Sequence, residues 1–139
     1  MSKSQSGPER PVIHLLAAES DLIAGLALRS EHQHPVVAAM LLGEIERAEL
    51  HDPSTMPEGH VRLGSYVTFV DERTRQLREV QLVLPINANI AEGRISILTP
   101  VGAALYGLAQ EDTIDWPDLF GEERAIKIVR VRQPDGDSH

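Results

Sequence analysis

Cysteine is missing from this 139-residue chain. Disulfides, thiolate zinc sites, iron–sulfur clusters and thiol nucleophiles are therefore excluded. Aromatics are scarce: Tyr66, Phe69, Tyr106, Trp116 and Phe120 are the whole set. A stacking platform for single-stranded nucleic acid is hard to build from so few rings. Positive charge is in deficit, with 13 Lys+Arg against 21 Asp+Glu and a net charge of −8. Direct nucleic-acid binding wants the opposite balance, because phosphates must be neutralised by Lys and Arg. The longest apolar runs, such as Pro35–Gly43, are far short of a membrane span. Met1–Pro11 lacks the apolar stretch of a secretory signal. The expected location is cytoplasmic, with no membrane partner. There is no internal repeat, Walker A loop, Gly-x-Gly-x-x-Gly turn or Gly-x-Ser-x-Gly elbow.

What remains is an ordinary globular composition, 42% hydrophobic and 24% charged, of a length that suits one compact unit. The charge is uneven. Residues 19–52 carry seven acids (Glu19, Asp21, Glu31, Glu44, Glu46, Glu49, Asp52) against Arg29 and Arg47, whereas residues 61–133 hold ten acids and nine bases. An acidic N-terminal part bears on partners rather than on fold.

Val12–Leu16 reads as a short strand or extended lead-in. Ser20 or Asp21 is a suitable N-cap, and Leu22, Ile23, Leu26 and Ala27 follow at helical spacing to about Arg29. Ser30–His34 breaks the pattern. Pro35 suits the first turn of a second helix, on which Val36, Val37, Met40, Leu41, Ile45 and Ala48 form an apolar stripe with Glu44 off it. The short link predicts an antiparallel helical hairpin. Turn residues then cluster in His51–Gly59, and the period changes to two. Strands are expected over Ser65–Val70, around Val80–Leu84, over Arg94–Leu98, Asp112–Trp116 and Glu123–Arg132. In the last, Ile126 and Ile128 share one face while Val129 and Val131 share the other. That phase slip predicts a bulge or a strand buried on both sides. Asp71–Leu77 and Pro117–Glu122 read as hairpin loops. Thr99 and Pro100 open one helix near Gly102, Ala103 and Ala104, which are small enough to lie close to a sheet.

The fold class is thus α+β. A short helical hairpin (12–52) precedes an antiparallel sheet domain with one packed helix (53–133), between flexible ends (1–11 and 134–139).

Two motifs carry a family resemblance. One is Ile95-Ser-Ile-Leu-Thr-Pro-Val-Gly-Ala-Ala-Leu-Tyr-Gly-Leu108, and the other is Asp112-Thr-Ile-Asp-Trp-Pro117. Leu41-Leu-Gly-Glu-Ile-Glu-Arg-Ala-Glu49, Tyr66-Val-Thr-Phe69 and Leu82-Val-Leu-Pro85 support them. From Val12 to Val131 the chain resembles the GreA/GreB transcription elongation factors, and more closely the Rnk proteins, regulators of nucleoside diphosphate kinase. The resemblance implies an FKBP-like C-terminal domain and RNA polymerase as the partner, docked at the rim of the secondary channel. In the Gre group a long coiled coil carries tip acids to the catalytic magnesium and stimulates transcript cleavage. Here the hairpin is too short for that reach, and Arg29–Pro35 holds one carboxylate, Glu31, where a second cation wants several oxygen ligands. The implied function is a non-enzymatic regulator that docks without cleavage.

Candidate partner contacts are Glu31, His32, His34 and Glu44 on the hairpin, and Ser96, Thr99, Pro100, Asp115 and Trp116 on the sheet domain. Capping and packing also explain the sheet-domain residue types, and Trp116 suits a core as well as an interface. Glu44, Glu46, Glu49 and Asp52 form either an acidic interaction face or a solvated helix surface. Neither metal nor cofactor is expected: Glu31, His32 and His34 make a polar turn, and His14, His51, His60 and His139 are scattered without a His-x-x-x-His spacing. Two other functions stay open, a Gre-type cleavage factor and an FKBP-like prolyl isomerase. The isomerase needs an aromatic-lined pocket that few aromatics can supply. The expected state is a monomer or weak homodimer.

Overall fold

The computed structural model describes residues 12–117 and 123–134, with the side chains of residues 116, 117, 123 and 124 left out of the description. The ends expected to be flexible (apart from Pro134) and most of the expected Pro117–Glu122 loop, with Phe120, fall outside the described residues.

A three-residue strand, β1 (His14–Leu16), runs straight into helix α1 (Ala17–Arg29). The helix therefore starts before the expected Ser20/Asp21 cap. Leu16 takes the cap position without a side-chain bond, and Ser20 Oγ instead donates to the Ala17 carbonyl within the first turn. The Ala17-Ala18 pair favours helix without help from a cap. After the Ser30–His34 turn, α2 (Pro35–Arg47) begins with Pro35 in its first turn, where a missing N–H leaves no bond unmade. The chain then enters β2 (Glu49–His51), which pairs in parallel with β1. The two helices are thus bracketed at their base by a two-stranded ribbon.

The stripe on α2 is rotated from its expected position. Val37, Ala38, Leu41 and Glu44 are buried, while Val36 is exposed.

The remaining strands are β3 (Tyr66–Asp71), β4 (Gln76–Val83), β5 (Arg94–Ser96), β6 (Thr113–Pro117) and β7 (Glu123–Arg132), in the order β5-β4-β3-β7-β6. The expected wholly antiparallel sheet is corrected to a mixed one, because β5 pairs in parallel with β4. The connection through 84–93 contains two short 3-10 turns and carries the chain back to start β5 in the same direction as β4. A tight hairpin cannot do this. The phase slip in β7 is a bulge: Phe69 faces Ile128, but Thr68 faces Arg130. Val129 is the extra residue and is exposed. The slip returns Val131 to the side of Ile126 and Ile128, opposite Val67, rather than leaving it with Val129.

Helix α3 (Pro100–Leu105) is capped by Thr99, whose Oγ1 accepts from the Gly102 amide at 3.0 Å. Its buried residues join those of the sheet and of the hairpin. Ile23, Ala27, Val37, Ala38 and Leu41 belong to one core with Val67, Leu82, Ile97, Leu105, Ile126 and Ile128. The helical pair is therefore a layer of the structure along much of its length. No described helix is long and apolar enough to cross a membrane.

Candidate functional site

Each helix of the hairpin has 13 residues, a length of about 20 Å. The turn joining them closes on backbone bonds. The Ser30 carbonyl accepts from Gln33 N at 3.1 Å and from His34 N at 2.8 Å. These bonds leave Glu31, His32 and His34 exposed on a folded tip. Glu31 is the one carboxylate in that turn.

Of the four acids Glu44, Glu46, Glu49 and Asp52, only Glu44 leaves the exposed surface. Glu44 is 8% exposed, against the core side of α2, and its Oε1 holds Arg47 at 2.7 Å. The 100° step of the helix places it one turn after Leu41, on the buried stripe. Asp52 accepts from Ser54 Oγ at 2.7 Å and from the Ser54 and Thr55 amides. Those bonds, the Ser54 hydroxyl first, hold its carboxyl below the usual range. Glu49 turns towards two histidines, and Glu46 is exposed.

In the sheet domain, the candidate residues are tied into local structure. Ser96 Oγ accepts from Leu98 N at 2.9 Å, and Thr99 Oγ1 donates to the Ser96 carbonyl at 2.8 Å. Pro100 follows as the first helical residue, half-buried. Asp115 sits mid-strand in β6 opposite Ala125, also half-buried. Trp116 takes the next place, opposite Arg124; its expected packing lies outside the described residues. Ser96, Thr99 and Pro100 therefore form one knot, apart from the tip residues in chain and in element.

Two features were hidden from sequence reading. The first is the seam between hairpin and sheet domain. Glu19 Oε1 accepts from the Leu63 amide at 3.2 Å. Burial raises the Glu19 carboxyl above its ordinary range, against the lowering effects of Leu63, Tyr106 and Arg62. The Tyr106 hydroxyl is buried without a well-formed hydrogen bond, beside that carboxyl, and burial pushes the phenol far up.

The second is a histidine cluster. The β1–β2 register places His14 beside Glu49, and Leu16 beside His51. His14 Nδ1 then lies 2.9 Å from His51 Nε2 and 3.5 Å from Glu49 Oε1. His60 packs edge-on against His14 with ring centroids 4.7 Å apart, and its Nδ1 donates to the Gly107 carbonyl at 3.1 Å. Burial holds His60 below the usual imidazole range. The histidines and Glu49 in the tripeptides His14–Leu16 and Glu49–His51 were the available signal, but it needed the pairing partner to become useful.

An open cleft of about 470 Å³ runs between Pro53–Gly59 and Val131–Gln133, with no aromatic in its wall. Tyr106 is buried, and the Tyr66 ring is covered by the Arg132 guanidinium 4.4 Å from its centroid.

Fold and site together define a helical pair that shares its core with a mixed-sheet domain and meets it through α3, with its exposed chemistry at a hairpin tip. The C-terminal family model for the transcription elongation factors GreA/GreB matches residues 56–133. GreA of Brucella anthropi is 32% identical over 133 residues, covering 89% of this chain and 83% of that protein. GreA of Brucella abortus shows the same identity and coverage. Among solved structures, a GreA/GreB elongation factor from Nitrosomonas europaea superposes with a TM-score of 0.69 and 33% identity, covering 88% of this chain and 99% of that one. The chain belongs to the GreA/GreB family of transcription elongation factors.

Proposed function

We propose that this protein is an Rnk-type member of the family: it binds RNA polymerase at the rim of the secondary channel and leaves transcript cleavage unstimulated. The observation that carries this reading is the tip, a single turn with one carboxylate at the end of helices about 20 Å long. Placing a second catalytic cation takes several hard oxygen ligands at the end of a much longer reach. The sheet domain, FKBP-like in this reading, supplies the docking surface. The aromatic-free cleft and the buried Tyr106 favour a binding module over a prolyl isomerase. On this reading the protein works in the cytoplasm, and any effect on nucleoside diphosphate kinase passes through transcription.

The test has two arms. Purified protein is run with core RNA polymerase on a sizing column, then challenged with GreA; comigration and displacement are expected. The protein is next added to a backtracked elongation complex and the RNA 3′ end is followed. No acceleration is expected. Cleavage above the polymerase-alone rate would make the protein a Gre-type cleavage factor, and failure to comigrate would remove the docking claim.

A further inference from the structure

We propose that His14, Glu49 and His51 form a binding site for a divalent transition cation of the zinc type. Three observations carry it. First, the donor atoms all lie within 4.8 Å of one another. Their separations are 2.9 Å (His14 Nδ1 to His51 Nε2), 3.5 Å (His14 Nδ1 to Glu49 Oε1) and 3.9 Å (His51 Nε2 to Glu49 Oε1). Tetrahedral zinc with ligand bonds near 2.0–2.1 Å sets its ligand atoms about 3.3–3.4 Å apart, so shifts of a few tenths of an ångström complete the geometry.

Second, the ligands rest on backbone. His14 stands opposite Glu49 in a parallel register that also fixes His51 one pair further on. The ribbon is held from outside by the His14 amide, which donates to the Gly107 carbonyl, and within its own ladder the Glu49 amide donates to the Ile13 carbonyl at 3.0 Å. Third, the outer partners suit the task. His51 Nδ1 lies 3.3 Å from Thr55 Oγ1, an arrangement that turns the Nε2 lone pair inward. The His60 ring stands edge-on against His14 and engages its own Nδ1 with Gly107, so it walls the site rather than ligating.

Two neutral imidazoles and one carboxylate suit zinc, whereas magnesium prefers an all-oxygen set. Three protein ligands leave a fourth position for water or an incoming group. The cation clips residue 14 to residue 51 across the base of the hairpin. It therefore fixes the closed base of the helical pair. This site is independent of the polymerase reading.

The experiment uses the untagged full chain carrying His32→Gln and His34→Gln, which removes the exposed tip histidines. Zn2+ is titrated by calorimetry, and Co2+ by visible absorption. A single site with micromolar or tighter affinity is expected, with the strong visible bands of four-coordinate cobalt and no heat from Mg2+. Glu49 is largely exposed, so Glu49→Gln keeps the fold, checked by circular dichroism. It weakens Zn2+ binding by about tenfold or more, and His51→Gln by about a hundredfold. Absence of one-to-one binding at micromolar Zn2+, or binding that Glu49→Gln leaves unchanged, overturns the site. The weak spectrum of six-coordinate cobalt overturns it equally, even if His51→Gln does not fold.

Discussion

Glu19 on α1 accepts a hydrogen bond from the backbone amide of Leu63, 44 residues away, and so ties the helical pair to the sheet domain. Burial is the main influence on this carboxyl and raises its pKa. The folded protein therefore holds the Glu19 proton more tightly than the unfolded chain does. Stability contributed by this group is lost as pH rises from the ordinary carboxylate value of 4.5 through the raised one. Glu19→Gln keeps an oxygen for Leu63 and removes the charge. Its stability at pH 7 is expected within about 1 kcal/mol of the parent or above it. Urea denaturation from pH 4 to pH 7 should show the parent losing ground to the variant across that window. A constant difference between the two would refute the assignment.

Gly102 is required for space. A Cβ there meets the Ser96 carbonyl oxygen and comes within 3.1 Å of the Ile97 Cα, both backbone. Gly102→Ala must push α3 off the end of β5, and a loss of about 3 kcal/mol or more is expected. Gly43, exposed within α2, has nothing within 4 Å of the corresponding point. Gly43→Ala should stabilise by about 0.5–1 kcal/mol through lower chain entropy and better helix propensity. Thermal denaturation of the pair checks both signs.

Why some features were legible and others hidden follows from the range of the forces. The Thr99–Pro100 start of α3 depends on neighbours within three residues and was readable. The bulge in β7 was readable because a missed beat in the apolar alternation is itself local. The β1–β2 ribbon pairs residues 35 apart, and neither tripeptide signals its partner. The histidine cluster was invisible for the same reason. Glu44 misled because a charged residue on a helix is usually solvated; the phase that buries it beside Leu41 was set by tertiary packing, with α2 lying against α1 and α3. The strand at Arg94–Ser96 was legible but its parallel direction was not, because short strands in sequence order suggest hairpins.

The burial of Glu44 has a measurable consequence. It is 8% exposed and paired with Arg47, whereas Glu46, two residues on, is exposed. Reversing a charge in a mostly desolvated place leaves it opposite another cation. Glu44→Lys is expected to cost about 2–4 kcal/mol, and Glu46→Lys no more than about 0.5 kcal/mol. Chemical denaturation of the two variants distinguishes them. Equal effects would place Glu44 on the solvated face after all.

The tip offers the sharpest link from structure to the proposed function. Glu31, His32 and His34 are exposed, and the turn that carries them is closed by backbone bonds from Gln33 and His34 to the Ser30 carbonyl. Removing the three side chains therefore leaves the turn's own bonds in place. The triple variant Glu31→Ala, His32→Ala, His34→Ala is expected to melt within about 2 °C of the parent, as surface changes away from packed groups do. If the tip contacts the polymerase, the same variant binds core enzyme about tenfold more weakly, a loss of about 1.4 kcal/mol. A titration of labelled polymerase with parent and variant reads this directly. Unchanged affinity with an unchanged melting temperature would confine the docking surface to the sheet domain and remove the tip from the interface.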